Sequence, residues 1–198
     1  MLLTTLISSF IVTSVFSTVI GAPFPPSNSK FALKARKWGP YDLDSIIINI
    51  DATVPLYHHA QAHISEGKAK SSDVDKITAL VYANVLGLNV RAKLDDVDAR
   101  NVTAHLDIWT GAHHDYLSSL NEFQASVTAS VDVDSWHSSL YHLNTAITVY
   151  SKALLAYIPD SEYTDCDNRF TVLTYILNTS INIWVTLKLT LLGIHIDL

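Results

Sequence analysis

Nine histidines, a single cysteine and no recognisable nucleophile motif set the chemistry open to this 198-residue sequence. His59 and His63 stand four apart, so on a helix both rings share one side and could meet a Zn ion, with His105 or the run His113-His114-Asp115 supplying further ligands. No carboxylate occupies the offset found in HExxH, and the helical register puts both rings away from the packed seam. Two ligands at this spacing arise commonly by accident, so we read them as solvated surface and assign no metal. GxSxG is absent and no His is followed by Glu, so the commonest hydrolase and metalloprotease signatures are missing. No catalytic residue is assigned, and the expectation is a non-enzyme without cofactor. His113 differs from the other histidines, because it falls on the seam between Trp109 and Tyr116, where a His is more often a hydrogen-bonded core group than a catalyst. Cys166 also lies on a seam and reads as a small apolar packer, with a thiol for intermolecular pairing as the alternative.

The elements that position these residues are helices. Beyond Pro40 the apolar positions recur in alternating steps of three and four, the spacing of packed helical stripes. A first helix carries Leu43, Ile47, Ile50, Val54, Tyr57 and Ile64, kinked at Pro55, which lacks a backbone donor. Ser72 and Asp75 form a capping pair before Val74, Ile77, Val81, Val85 and Leu88. The third and longest helix runs through Val102, Leu106, Trp109, His113, Tyr116, Leu120, Phe123 and Val127. Asp132 or Asp134 caps a fourth, with Val133, Trp136, Leu140, Leu143, Ile147, Tyr150 and Leu154, which ends near Ile158-Pro159. The fifth starts after Asp160 or Ser161 and reads Tyr163, Cys166, Phe170, Leu173, Leu177, Ser180, Trp184, Leu187, Leu191 and Ile194. The fold class is therefore all-α: an antiparallel bundle of about five amphipathic helices over residues 41–198, whose short links favour antiparallel neighbours. Residues Ile181 to Leu198 are apolar enough to raise a membrane anchor, but Asn182, Lys188, His195 and Asp197 count against one.

Composition narrows the class further. The chain is 48% hydrophobic and 16% charged, with six Gly and six Pro, which excludes disordered and collagen-like polypeptides. The cations Lys30, Lys34, Arg36 and Lys37 all precede the first acid, Asp42, leaving nine cations against 19 acids in the remainder. An acidic bundle of this kind argues against nucleic acid as partner.

Residues 1–22 read as a cleaved secretory signal peptide, uncharged from Leu2 to Ile20 and closed by Gly21-Ala22. A secreted, extracellular or wall-associated protein follows. Residues 23–40 form a flexible Pro-rich and basic arm, a solvated leader or a segment drawn to an anionic cell wall or membrane. Two glycosylation sequons fit the secretory route, Asn101-Val102-Thr103 and Asn178-Thr179-Ser180. Asn101 is the better acceptor, whereas the apolar neighbours of Asn178 predict that packing hides it.

Tyr57, Trp109, Tyr116, Phe123, Trp136, Tyr150, Tyr163, Phe170 and Trp184 all fall on seam positions. Large rings usually fill core, but bundles also place ligands between facing helices, where Tyr and Trp offer a polar tip beside apolar walls. Burying an acyl chain gains roughly 0.8 kcal/mol per methylene, enough for micromolar binding after ordering costs. The candidate ligand wall is Trp109, Tyr116, Leu143, Ile147, Leu177 and Trp184, with His113 or Tyr150 meeting a head group. The partner is then a fatty acid, another apolar ligand or a hydrophobic surface. The other reading is a secreted effector or structural protein with a filled core that binds another protein.

The signal peptide, the opening Asp42-Leu43-Asp44-Ser45-Ile46, the run of amphipathic helices and the passage Ala153-Leu154-Leu155-Ala156-Tyr157-Ile158-Pro159 before a last apolar helix resemble the fungal hydrophobic surface-binding protein A family, related to cell-wall galactomannoproteins. The similarity spans roughly residues 42–190. It implies a secreted, helical, non-enzymatic protein that adsorbs to hydrophobic surfaces or holds fatty acids in its bundle. The chain departs from that pattern in its many His and aromatic residues, in Pro55 and in lacking a Ser/Thr-rich stalk.

Overall fold

The computed structural model describes residues 43–88, 92–125 and 132–191, all within one compact unit, Trp38–Leu198. The leader, the basic arm, Val127 and Ile194 lie outside the described residues. Six helices follow in order: α1 (Leu43–Asp51), α2 (Val54–Ser65), α3 (Ser71–Gly87), α4 (Asp96–Ala125), α5 (Val133–Leu155) and α6 (Asp160–Leu191).

The first expected helix is thus two. Pro55 cannot donate to the preceding turn, and Thr53 repairs the gap: its Oγ1 donates to the Ile50 carbonyl at 2.6 Å, and its own carbonyl accepts from the Leu56 and Tyr57 amides. Pro55 then sits in the first turn of α2, where a missing donor costs nothing. In α1 Ile50 is buried as expected, but Ile46 rather than Ile47 shares its inner face. Helix α2 closes in a Schellman turn, with Gly67 at φ +67° and bonds from Gly67 to Ile64 and from Lys68 to His63. The Ser72–Asp75 capping pair does not form. Lys70 is the N-cap of α3, and the adjacent Ser71 hydroxyl instead bonds Ser135 at 2.7 Å. Asp132 does cap α5, accepting from the Ser135 amide at 3.0 Å.

With α1 and α2 running on in the same direction as one interrupted wall, successive walls alternate in direction, yet their contacts close a ring in a different order. Helix α4 packs mainly on α6 and on the α1–α2 pair, α6 on α5, α5 on α3, and α3 back on α1 and α2. Helices α3 and α4, and α4 and α5, follow one another in sequence without being neighbours in the ring. Three of the five sides join parallel helices, as the pairs Tyr57–His113, Arg100–Glu162 and Ser71–Ser135 record. Short links predicted antiparallel neighbours throughout; only α5–α6 and the pairing of α3 with α1–α2 obey. Helix α6 is long and apolar enough over Asp160–Thr190 to cross a membrane. In the bundle its stripe of Cys166, Phe170, Leu173, Leu177, Ser180, Ile181 and Trp184 is buried.

Candidate functional site

All eight candidate ligand-wall residues, Trp109, His113, Tyr116, Leu143, Ile147, Tyr150, Leu177 and Trp184, are fully buried, none more than 1% exposed. They come from α4, α5 and α6, the three helices that meet along one side of the ring. The antiparallel α5–α6 register is fixed by Asp134 with Lys188 and Asn144 with Asn178. It sets Leu143 opposite Leu177 and Tyr150 opposite Phe170.

The rings gather in two groups. In one, Trp109, Tyr150 and Phe170 pack with centroids 5.9 to 6.3 Å apart, the Phe170 ring meeting both others edge-on. On the α2 side Tyr57 packs against two other α4 rings, 5.2 Å from His113 and 5.8 Å from Tyr116. In the other group Trp184 stacks on Trp136 at 5.1 Å, with Phe123 beyond. Leu143, Leu177 and Ile147 occupy the register positions between, an aliphatic layer flanked by aromatic ends. Sequence reasoning placed Tyr57, Phe170 and Trp136 on seams but not in the site; direct ring contact puts them there. Tyr163, expected on the seam, is 43% exposed because it lies at the outer edge of α6.

His113 is held on both nitrogens. The Tyr57 hydroxyl donates to Nδ1 at 2.9 Å, and Nε2–H donates to the Leu173 carbonyl at 3.2 Å, so one neutral tautomer spans α2, α4 and α6. Burial lowers its pKa to about 3, outweighing the carbonyl bond, which favours the charged ring. With both nitrogens engaged, His113 has no atom left for a head group. Burial likewise raises the phenols of Tyr57, Tyr116 and Tyr150 above their ordinary range, keeping them neutral donors. It pushes the Cys166 thiol up to about 12, as suits a small packed side chain.

Against that satisfied histidine, the Tyr116 and Tyr150 hydroxyls, the Trp184 indole N–H and the Ser180 hydroxyl are buried with no hydrogen-bond partner among the described residues. Trp109 Nε1 points toward the Tyr57 oxygen without forming a bond of ordinary geometry. Buried polar atoms are normally paired, and an unpaired one costs roughly 1–3 kcal/mol.

The polar histidines lie elsewhere. The His59 and His63 ring centroids lie 4.2 Å apart with the rings tilted by 58°, but His63 Nδ1 bonds Asp73 Oδ2 at 2.7 Å, a carboxylate that Lys76 also holds at 2.8 Å. Burial would raise the Asp73 pKa, yet the two hydrogen bonds bring it below the usual carboxylate value. His105 pairs with Asp51 at 2.7 Å. Among the described residues no cluster of three or more metal-binding side chains forms. Two surface grooves of about 650 Å³ each flank the core, one between α5 and α6 and one between α2 and α4 near Gln61, Ser119 and Phe123. Asn101 and Asn178 are both exposed on helices, so the expectation that packing hides Asn178 does not hold. Alternate polar positions beside the α5 and α6 seams, from Asn144 to Lys152 and from Asp167 to Asn178, were the available signal for the first groove.

No family model matches the chain, and no curated protein matches it by sequence. Solved structures do share its fold. Ligand-binding domain 1 of the Penicillium marneffei MP1 protein, complexed with arachidonic acids, superposes with a TM-score of 0.62 at 13% identity, covering 71% of this chain and 95% of that one. Domain 2 of the same protein, complexed with multiple arachidonic acids, gives 0.64 at 10% identity over 76% and 98%. AFMP4P in complex with palmitic acid gives 0.56 at 14% identity over 72% and 99%.

Proposed function

We propose that this chain is a secreted, non-enzymatic protein that binds a long-chain fatty acid or similar single-chain amphiphile inside its helical ring. The observation that carries the reading is the set of unpartnered polar tips in an apolar interior: Tyr116 and Tyr150 hydroxyls and the Trp184 N–H beside the aliphatic layer of Leu143, Ile147 and Leu177. An interior that only had to be filled would be more stable with Phe in place of those tyrosines, because nothing repays their desolvation. A carboxylate head group accepts from the Tyr150 hydroxyl at one end of that layer or from the Trp184 N–H at the other, while the acyl chain replaces ring and aliphatic contacts. Helix α6 packs on both α4 and α5, which do not themselves form a side of the ring, so an acyl chain has its place between α4 and α5 over the inner face of α6. The shared fold of domains solved with arachidonic and palmitic acids supports the same reading. Adsorption to hydrophobic surfaces, membership of the hydrophobic surface-binding protein A family and wall association through the basic arm belong to the same proposal.

The test is mass spectrometry of organic extracts from full-length chain secreted by a fungal host. A stoichiometric co-purifying fatty acid supports the container, and its absence points to the second reading. That reading is a filled core presenting its surface to another protein, favoured by the close edge-on packing of Trp109, Tyr150 and Phe170.

A further inference from the structure

The groove between α5 and α6 has a chemistry unlike the core beneath it. Its two walls run antiparallel, Asn144, Thr148 and Ser151 of α5 facing Asn178, Thr174 and Thr171 of α6. Lys152 and Asp167 line it further along, and Tyr163 closes the far end with a half-exposed ring. The Thr148 and Thr174 hydroxyls donate to carbonyls of their own helices and present acceptor lone pairs, and with the Ser151 and Thr171 hydroxyls, one ammonium and one carboxylate beside an accessible aromatic face they complement a sugar chain rather than an acyl chain. Asn144 bridges the walls: its Nδ2 donates to Asn178 Oδ1 at 3.1 Å, and its Oδ1 is buried beside the groove with no partner among the described residues. That bond leaves Asn178 Nδ2, the atom to which an N-linked glycan is joined, outside the pair.

Asn178 opens the sequon Asn178-Thr179-Ser180, is exposed, and stands at one end of the groove. We propose that the groove is a carbohydrate seat, occupied by the chain's own N-glycan attached at Asn178. From Asn178 to Tyr163 the groove follows fifteen residues of helix, roughly 22 Å at 1.5 Å per residue, a span that several linked sugars cover. Ser180 Oγ, which the sequon requires, is fully buried in the fold, so attachment precedes packing of α6 during synthesis. Asn101, exposed on α4, does not line this groove and provides an internal contrast. The proposal rests on the secretory reading and is independent of lipid binding.

The experiment expresses the full chain through a fungal secretory pathway and measures, by glycopeptide mass spectrometry, how fast an endoglycosidase releases each glycan. In the native protein the Asn178 glycan is released about tenfold more slowly than from the proteolysed glycopeptide, which corresponds to about 1.4 kcal/mol of seating, while Asn101 shows no such difference. Tyr163→Ala with Ser151→Ala restores fast release at Asn178, with the helical signal and melting temperature checked in parallel. Ser180→Ala removes the sequon along with a hydroxyl that has no partner, so that variant folds without the Asn178 glycan. Equal release from native protein and glycopeptide, or a secreted protein unmodified at Asn178, overturns the seat alone. An uncut chain retained in the cytosol overturns the secretory reading and the seat together.

Discussion

His113 joins three helices through one neutral ring, and its protonation therefore has a predictable sign. Its pKa is about 3 folded against an ordinary value of 6.5, so between those limits the unfolded chain binds the extra proton. Stability from this group is fully present above pH 6.5 and is lost as pH falls toward 3, with a limiting slope of about 1.4 kcal/mol per unit. Urea unfolding at pH 7 and pH 4.5 should show that loss in the wild type and a flatter response in His113→Gln. Asp73 is held below its ordinary value, so its contribution is lost only under more acidic conditions, below about 3.8. The unpartnered tyrosine makes the opposite kind of prediction. Tyr150→Phe should leave the unliganded protein unchanged or raise its stability by a few tenths to about 1 kcal/mol, since no bond is lost. The same change should weaken fatty-acid binding by roughly tenfold, read by titration. If it lowers stability by more than about 1 kcal/mol and leaves affinity alone, the hydroxyl is structural and its assignment to the head group is wrong.

Helix ends and breaks separate what the sequence reveals from what it hides. The stripes of α3 to α6 were legible because three-and-four spacing reports directly which face is buried: Val74, Ile77 and Val81, or Leu140, Leu143, Ile147 and Tyr150, all lie inside. The Asp132 cap was equally plain. Pro55 signalled a disturbance, but whether a helix kinks or restarts depends on a nearby side chain able to satisfy the freed carbonyls, and Thr53 does so here. Ring order was not legible, since links of similar length serve adjacent and opposed helices alike. The polar tips could be placed on seams by spacing, whereas their lack of partners is a property of three packed helices at once. Two substitutions test these local devices. Asp132→Ala should cost about 1 kcal/mol by uncapping α5. Pro55→Ala should lower stability by about 0.4–1 kcal/mol, through a freer unfolded chain, although it returns a donor to the backbone. A gain of stability there would mean that the α1–α2 break is strained.

At the scale of the whole molecule, the ring of five helical walls combines an interior too aromatic to be merely convenient with a surface that carries most of the acids. The α4–α6 side is held at its rim by Arg100–Glu162, an exposed guanidinium on a mostly covered carboxylate, and by the half-exposed pair Arg169–Asp107, worth at most about 1 kcal/mol. Cohesion comes instead from the buried stripes, which leaves the rim free to part while the core helices stay formed. The central claim is that this interior takes up an acyl chain. The most direct measurement is titration of the delipidated protein with a long-chain fatty acid, following tryptophan emission from Trp109 and Trp184. Saturation at one or a few equivalents with a micromolar Kd, and helical content unchanged, is the predicted result; a linear, unsaturable response from a fully folded bundle would contradict it.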